Sequence, residues 1–169
     1  NFNKVNDYLY ILNGAYFSDL FIMFFLFYGK HKWGSWNTLR EWYKKYQLAA
    51  ILADVTIVVI GFILTRFIIL LLNIKSNIFI FFGIFLVVQI IHDILFYLFF
   101  TSVPRGYNKM LDLFKDYAKE VGYKAILGDS FMLVVAVLFS YYFANLSFNN
   151  NIIILITLTY LIPYIIHTK

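Results

Sequence analysis

The 169-residue chain contains no cysteine, only two prolines and three histidines, and just 14% of its residues are charged. Without cysteine there are no disulfides, no zinc-thiolate or iron-sulfur sites and no thiol nucleophile. A glycine loop for phosphate, a Gly-x-Ser-x-Gly elbow and a His-Glu-x-x-His metal motif are all missing. His31 and His167 lie outside the apolar segments that hold His92, so no histidine pair at matched depth is available for haem. The expectation is a non-enzymatic protein with no catalytic residue, no metal, no cofactor and no small-molecule substrate.

What fills the chain instead is apolar. Hydrophobic residues make up 62%, the mean hydropathy is +0.76, and there are 20 Phe and 14 Tyr. Ordinary soluble domains hold about 45–50% apolar residues. Apolar stretches of about 17 to 25 residues, the length needed to cross a bilayer, recur along the whole sequence. The composition implies one integral membrane domain over residues 1–169, in the all-α class, with no separate soluble domain. Spans are expected at about 8–28, 47–72, 78–100, 125–144 and 152–166. The fifth is the shortest, and Pro163 near its end removes a backbone donor, so a re-entrant course is the alternative there. No internal repeat is evident from residue spacing.

Charge sets an expected orientation, because short loops rich in Lys and Arg stay on the cytoplasmic side. Loop 29–46 carries Lys30, Lys32, Arg40, Lys44 and Lys45, loop 101–124 carries Arg105, Lys109, Lys115, Lys119 and Lys124, and Lys169 follows the last span. The opposite face receives Lys4 and Lys75. Eleven cations against two place the N-terminus outside or in the lumen and the C-terminus in the cytoplasm.

Both basic loops have character of their own. The first, GKHKWGSWNTLREWYKKYQ, holds Trp33, Trp36 and Trp42 among its cations and is expected to lie along the membrane surface, since amphipathic rings and cations favour the headgroup level. The second, GYNKMLDLFKDYAKEVGYK, places Met110, Leu111, Phe114, Tyr117, Ala118 and Val121 at steps of three and four, with charges of both signs opposite. This predicts an amphipathic helix at about 107–122, begun after Pro104 and Gly106 and ended at Gly122. Trp33, Trp36, Arg40, Trp42, Lys44, Lys45, Arg105, Phe114 and Tyr117 are the candidate contacts to lipid headgroups or to a partner protein. Aromatic and basic loops also suit nucleic acid, but their place beside apolar spans favours lipid, and no nucleic-acid partner is expected.

Four of the nine carboxylates fall inside spans: Asp19, Asp54, Asp93 and Asp129. At 1.5 Å per residue they lie about 6 to 14 Å from one edge of the hydrocarbon core, in one layer with His92. Each buried charge costs about 2.5–3.5 kcal/mol on insertion scales, which favours carboxylates that face one another, water or a cation. Protonation, His92, and snorkelling Lys124 or Lys45 are the candidate means of neutralising each carboxylate, and the third span is expected to be central, offering His92 and Asp93 to two neighbours. Arg66, near the outer edge, reads as a structural cation that snorkels. The layer is open to three readings: interhelical hydrogen-bond staples, a proton or cation pathway, or a metal site held by carboxylates and imidazole.

The stretch IIHDILFYLFFTSVPRGYNKMLDLFKDYAKEVGYKAILGDSFM resembles multi-span membrane proteins of giant nucleocytoplasmic large DNA viruses. Its Val-Pro-Arg-Gly-Tyr-Asn turn, Phe-Lys-Asp-Tyr-Ala helix and Gly-Asp-Ser helix start carry the likeness. The resemblance implies a place in a viral inner membrane or host endomembrane, and a virion or minor capsid-associated structural role that tethers membrane to a protein shell. It assigns no catalytic residue. A channel subunit that uses the acidic layer, and a membrane-embedded enzyme or organelle subunit, are the alternatives.

Overall fold

In hydrocarbon a chain must satisfy every backbone polar group internally, so long apolar runs become helices. The structure, a computed structural model, describes residues 5–29 and 36–167, with side chains from Asp7 onward. The fold is all-α: among the described residues there are seven helices and no strand. They are α1 (Val5–Tyr28), α2 (Asn37–Tyr46), α3 (Leu48–Leu71), α4 (Ile78–Ser102), α5 (Lys109–Val121), α6 (Lys124–Ala144) and α7 (Phe148–Ile166). α1, α3, α4, α6 and α7 are long and apolar enough to span a membrane. α2 and α5 are short, amphipathic and lie at one end of the bundle.

Local chemistry fixes the ends. Asn77, Asn108 and Ser147 begin α4, α5 and α7 by accepting first-turn N–H groups from Ile80, from Met110 and Leu111, and from Asn150. The Ser147 cap starts α7 four residues before the expected 152. The result is one continuous 19-residue helix that contains Pro163, rather than a re-entrant segment. The tryptophan-rich loop also holds a helix, α2, that the sequence reading did not anticipate.

The third span is not central; that place belongs to α1. α1 packs most extensively on α6, then on α7 and α3, and half of its apolar window is buried against 11% for α4. Size explains the difference. Gly14 on α1 meets Ala136 and Ser140 on α6, and Ser18 is fully buried one turn further on, so two backbones approach closely where small residues recur every fourth position. Phe17 stacks on Phe139 beside this seam with ring centroids 3.8 Å apart. α4 presents Phe81 and Phe85 to Phe62 of α3 instead, and large rings hold the helices apart.

The order of elements brings out a repeat that residue spacing does not. α1–α2–α3 and α4–α5–α6 follow one plan: span, surface helix, turn, span. The turns are alike, with Gln47 at φ 47° and Gly122 at φ 57°. Ala50-Ile51-Leu52-Ala53-Asp54 returns 75 positions later as Ala125-Ile126-Leu127-Gly128-Asp129. At the same offset Arg40, Glu41, Trp42 and Lys44 match Lys115, Asp116, Tyr117 and Lys119, Gly61 matches Ala136, and Thr65 matches Ser140. Asp19 and Asp93 correspond at an offset of 74. The pairing of helices follows the same relation, since α1 packs on α6 and α3 where α4 packs on α3 and α6, although the α1–α6 seam is the tighter. Most matched positions share size and polarity rather than identity, so residue spacing alone does not reveal them. Both halves run the same way through the bundle, as parallel repeats do.

Candidate functional site

The surface helices reach down onto the intramembrane carboxylates. Asp19 on α1 is 1% exposed, and its Oδ1 accepts a hydrogen bond from the Tyr43 hydroxyl of α2 at 2.7 Å. The neighbouring Trp42 donates its indole N–H to Asp54 Oδ2 on α3 at 3.0 Å. Two successive α2 residues therefore bond carboxylates on two spans. On α4, Gln89 donates to Asp93 Oδ1 at 2.6 Å, and His92 Nδ1 lies 3.3 Å from the same oxygen. Asp129 on α6 is within electrostatic range of Asp93 and Asp54, and Asp19 of Asp54.

Of the cationic partners offered from the sequence, His92 does lie beside a carboxylate, that of Asp93, whereas the two lysines do not. Lys45 pairs with Glu41 on the surface at 3.4 Å, and Lys124 is exposed. The donors are neutral side chains: a phenol, an indole and an amide. Tyr43 was missed because a tyrosine in a basic amphipathic segment reads as a headgroup anchor, and nothing local marks it as a ligand for a carboxylate 24 residues away. Asp19 Oδ2 and Asp93 Oδ2 are buried without a hydrogen-bond partner among the described residues. No group of three His, Asp or Glu among the described residues is arranged to hold a metal ion.

Several candidate surface contacts also turn inward. Trp42 is 4% exposed, inside the protein rather than among headgroups. Phe114 is half-buried, its ring 4.8 Å from Trp42 and 5.0 Å from Phe96 of α4. Tyr117, the counterpart of Trp42, is half-buried above the carboxylates; burial, then the charges of Asp129, Asp54 and Asp93, push its hydroxyl above the usual tyrosine range. Arg105 forms a two-bond pair with Asp116, with contacts of 2.6 and 3.4 Å, that ties the 103–108 turn to α5. Lys44 is exposed and lies over the Phe27 ring at 5.8 Å. Trp36 and Arg40 are half-buried, with the Trp36 ring beside Gly128. Trp33 lies outside the described residues.

The two surface helices are also bolted to each other. Glu120 of α5 accepts the Asn37 and Thr38 N–H groups at 2.9 and 2.8 Å, together with the Thr38 hydroxyl, and so caps α2 from another helix. A carboxylate at a helix N-terminus also complements the helix dipole. Partial burial pushes the Glu120 carboxyl up, but these three donors together hold it below the usual glutamate range. Its contribution is therefore complete above the unfolded pKa of about 4.3 and is lost as pH falls through the lower folded value. Glu120→Ala is expected to destabilise α2 by about 0.5–2 kcal/mol. Hydrogen exchange should show faster exchange at α2 amides and no change in α7; unchanged α2 protection would refute the cap.

At the opposite end Arg66 does not simply snorkel. It pairs with Asp7 at 2.8 Å and joins α3 to α1. Nearby, Asn13 donates to the carbonyl and side-chain oxygens of Asn151 at 2.9 and 3.0 Å, and Asn151 donates to the Phe143 carbonyl at 2.9 Å. These amides latch α7 to α1 and α6.

Fold and polar layer together define a polytopic α-helical membrane protein. No family profile, curated protein or solved structure matches the chain.

Proposed function

We propose that the protein is a non-enzymatic component of a larger membrane assembly, a five-span anchor that holds a fixed platform at one bilayer face for contact with other proteins. The observation that carries this reading is the double fastening of α2 and α5. Their apolar faces are consumed by the bundle through Trp42, Tyr43, Leu113 and Phe114, and Glu120 locks them to each other. Their polar faces consequently point away from the bundle, toward the aqueous side.

All nine carboxylates of the chain are accounted for: four in the layer, Asp7 with Arg66, and Glu41, Asp112, Asp116 and Glu120 in contacts within or between the surface elements. Lys109, Lys119 and Lys124 are exposed and form no ion pair among the described residues, so the platform presents positive charge. The charge asymmetry supports a cytoplasmic platform with the N-terminus outside, and the viral resemblance suggests an inner membrane beneath a capsid, where such a platform tethers membrane to shell. A proton pathway is the second reading, favoured by the two unpartnered buried oxygens of Asp19 and Asp93.

Orientation and assembly are tested together. Single cysteines at Ser76 and Ser102 in this cysteine-free chain should label from opposite sides, Ser102 from the cytoplasm. A tagged chain extracted gently from its native membrane should migrate well above its own 20.0 kDa. A chain that runs alone would refute the assembly reading.

A further inference from the structure

The two halves differ where each surface helix meets the end of its span. At the offset that pairs Trp42 with Tyr117, Tyr43 of α2 corresponds to Ala118 of α5. Tyr43 fills its place with a buried ring that reaches Asp19. Ala118 ends at its methyl, and a cavity of about 240 Å³ opens beside it, between α5 and the last two turns of α4. The α4 wall differs in the same sense. Tyr97, Phe100 and Thr101 line the cavity, whereas Met23, Leu26 and Phe27, their counterparts at the offset of 74, belong to the packed core or lie against it. We propose that this cavity binds a phosphate group, presented by the headgroup of an anionic phospholipid at the membrane face.

Charge, depth and size argue for that ligand. Arg105, Lys115 and Lys119 line the cavity, and no carboxylate does. The nearby acids are occupied: Asp116 bonds Arg105 through both oxygens, and Asp112 accepts from Lys115 at 3.4 Å and from the Gly106 N–H at 2.8 Å. Three cations against two carboxylates leave the site positive, and donors are left over. Lys119 forms no hydrogen bond or ion pair among the described residues. Lys115, its side chain only 10% exposed, spends two of its three N–H groups, on Asp112 and on the Val103 carbonyl. Phosphate oxygens suit such donors, because hydrogen bonds between ionised partners are the strong ones. The cavity lies at the end of a span, where headgroups sit, and basic pockets at that level bind anionic lipids. Its volume is below the range of about 300–1,000 Å³ that holds a whole small-molecule ligand. It therefore admits a headgroup and leaves the acyl chains outside. Ile94 and Leu98, exposed on the same face of α4 as Tyr97 and Thr101, offer those chains an apolar surface.

The purified full chain in neutral detergent is titrated with short-chain phosphatidylglycerol, with phosphatidylcholine of the same chains, and with inorganic phosphate. Melting temperature and lipid adducts in the intact-mass spectrum are followed, and melting without lipid confirms that each variant folds. Phosphatidylglycerol should raise the melting temperature saturably and leave a retained lipid, and the other two probes should do neither. Lys119→Gln should weaken that binding about fivefold, and Thr101→Trp, which fills the cavity from an exposed position, at least about tenfold. Lys109→Gln removes the same charge ten residues along α5, about 15 Å away and beyond the screening length of about 8 Å, and should change binding less than about twofold. Equal losses in the two glutamine variants, or full binding by Thr101→Trp, would overturn the cavity as the site. Phosphatidylcholine bound as tightly as phosphatidylglycerol would overturn the requirement for an anionic headgroup. Inorganic phosphate that competes as well as the lipid would make the ligand a soluble phosphate and overturn the membrane source. The test is independent of the assembly reading, since a chain that runs alone would bind the lipid equally well.

Discussion

Replacing Gly14 by leucine should separate α1 from α6 and cost the fold more than about 3 kcal/mol, at or beyond the upper end of ordinary overpacking. The reason lies in what surrounds the position. A Cβ at Gly14 would meet the Ser140 side-chain oxygen, the Ala136 carbonyl oxygen at 2.7 Å and the Ser140 nitrogen at 2.8 Å. The first can rotate away, but the other two are backbone, so relief requires the helices to move apart. That movement breaks the most extensive packing in the molecule and the Phe17–Phe139 stack beside it. Ser140→Gly should not rescue the variant, because it removes only the movable atom. Gly83→Leu supplies the contrast: nothing lies within 4 Å of a Cβ there, and the effect should stay within about 1 kcal/mol. Reversible unfolding in mixed micelles measures both, and equal stability of the two leucine variants would show that the α1–α6 seam does not hold the bundle.

The membrane class and the helical fold were legible because hydrocarbon permits little else: an apolar run of 20 residues has one economical conformation. The amphipathic α5 was legible for a similar reason, since its periodicity is local. What the sequence hid depends on contacts between distant segments. Gly14 looks like any glycine until Ser140 arrives opposite it. Asn13 and Asn151, 138 positions apart, find each other only once α7 is laid on α1. Glu120 reads as a surface charge, although its partners are backbone N–H groups of α2 that no side-chain pattern announces. The misplaced centre has the same origin. His92 and Asp93 drew attention to α4 because ionisable groups stand out in an apolar run, yet centrality is set by close approach, which small residues on α1 provide. The four intramembrane carboxylates could be named one by one, whereas Trp42 and Tyr43, the donors to Asp54 and Asp19, could not, because an aromatic ring in a basic segment suits a headgroup and a buried acid equally well.

Those donors supply the second large effect. Tyr43→Phe keeps the ring and its packing but removes the one hydrogen bond the Asp19 carboxyl receives among the described residues, leaving a 1% exposed carboxyl group with neither oxygen partnered among them. Hydrogen bonds to charged or strongly polar partners contribute about 1.5–3 kcal/mol, and the loss should fall in that range or above it, because the stranded group cannot turn to water. Much of that loss belongs to the pair rather than to the phenol alone. In an Asp19→Leu background Tyr43→Phe should therefore cost little, and the double-mutant cycle should yield a coupling of about 1 kcal/mol or more. Additive effects would mean that the contact carries no energy. The same variant separates the two readings of the acidic layer. If the carboxylates are staples, vesicles containing wild type and Tyr43→Phe protein should hold a pH gradient equally well, and only stability should differ. If the layer carries protons, the Tyr43 hydroxyl is the group that can pass one to Asp19. Wild-type vesicles should then dissipate the gradient, and Tyr43→Phe, compared below its melting temperature, should slow the flux while α2 remains held by Trp42 on Asp54 and by Glu120. Flux in wild type that disappears in this folded variant would reassign the layer from structure to transport; a gradient that persists in both would leave Asp19 and Asp54 as the joints that fasten the platform to the bundle.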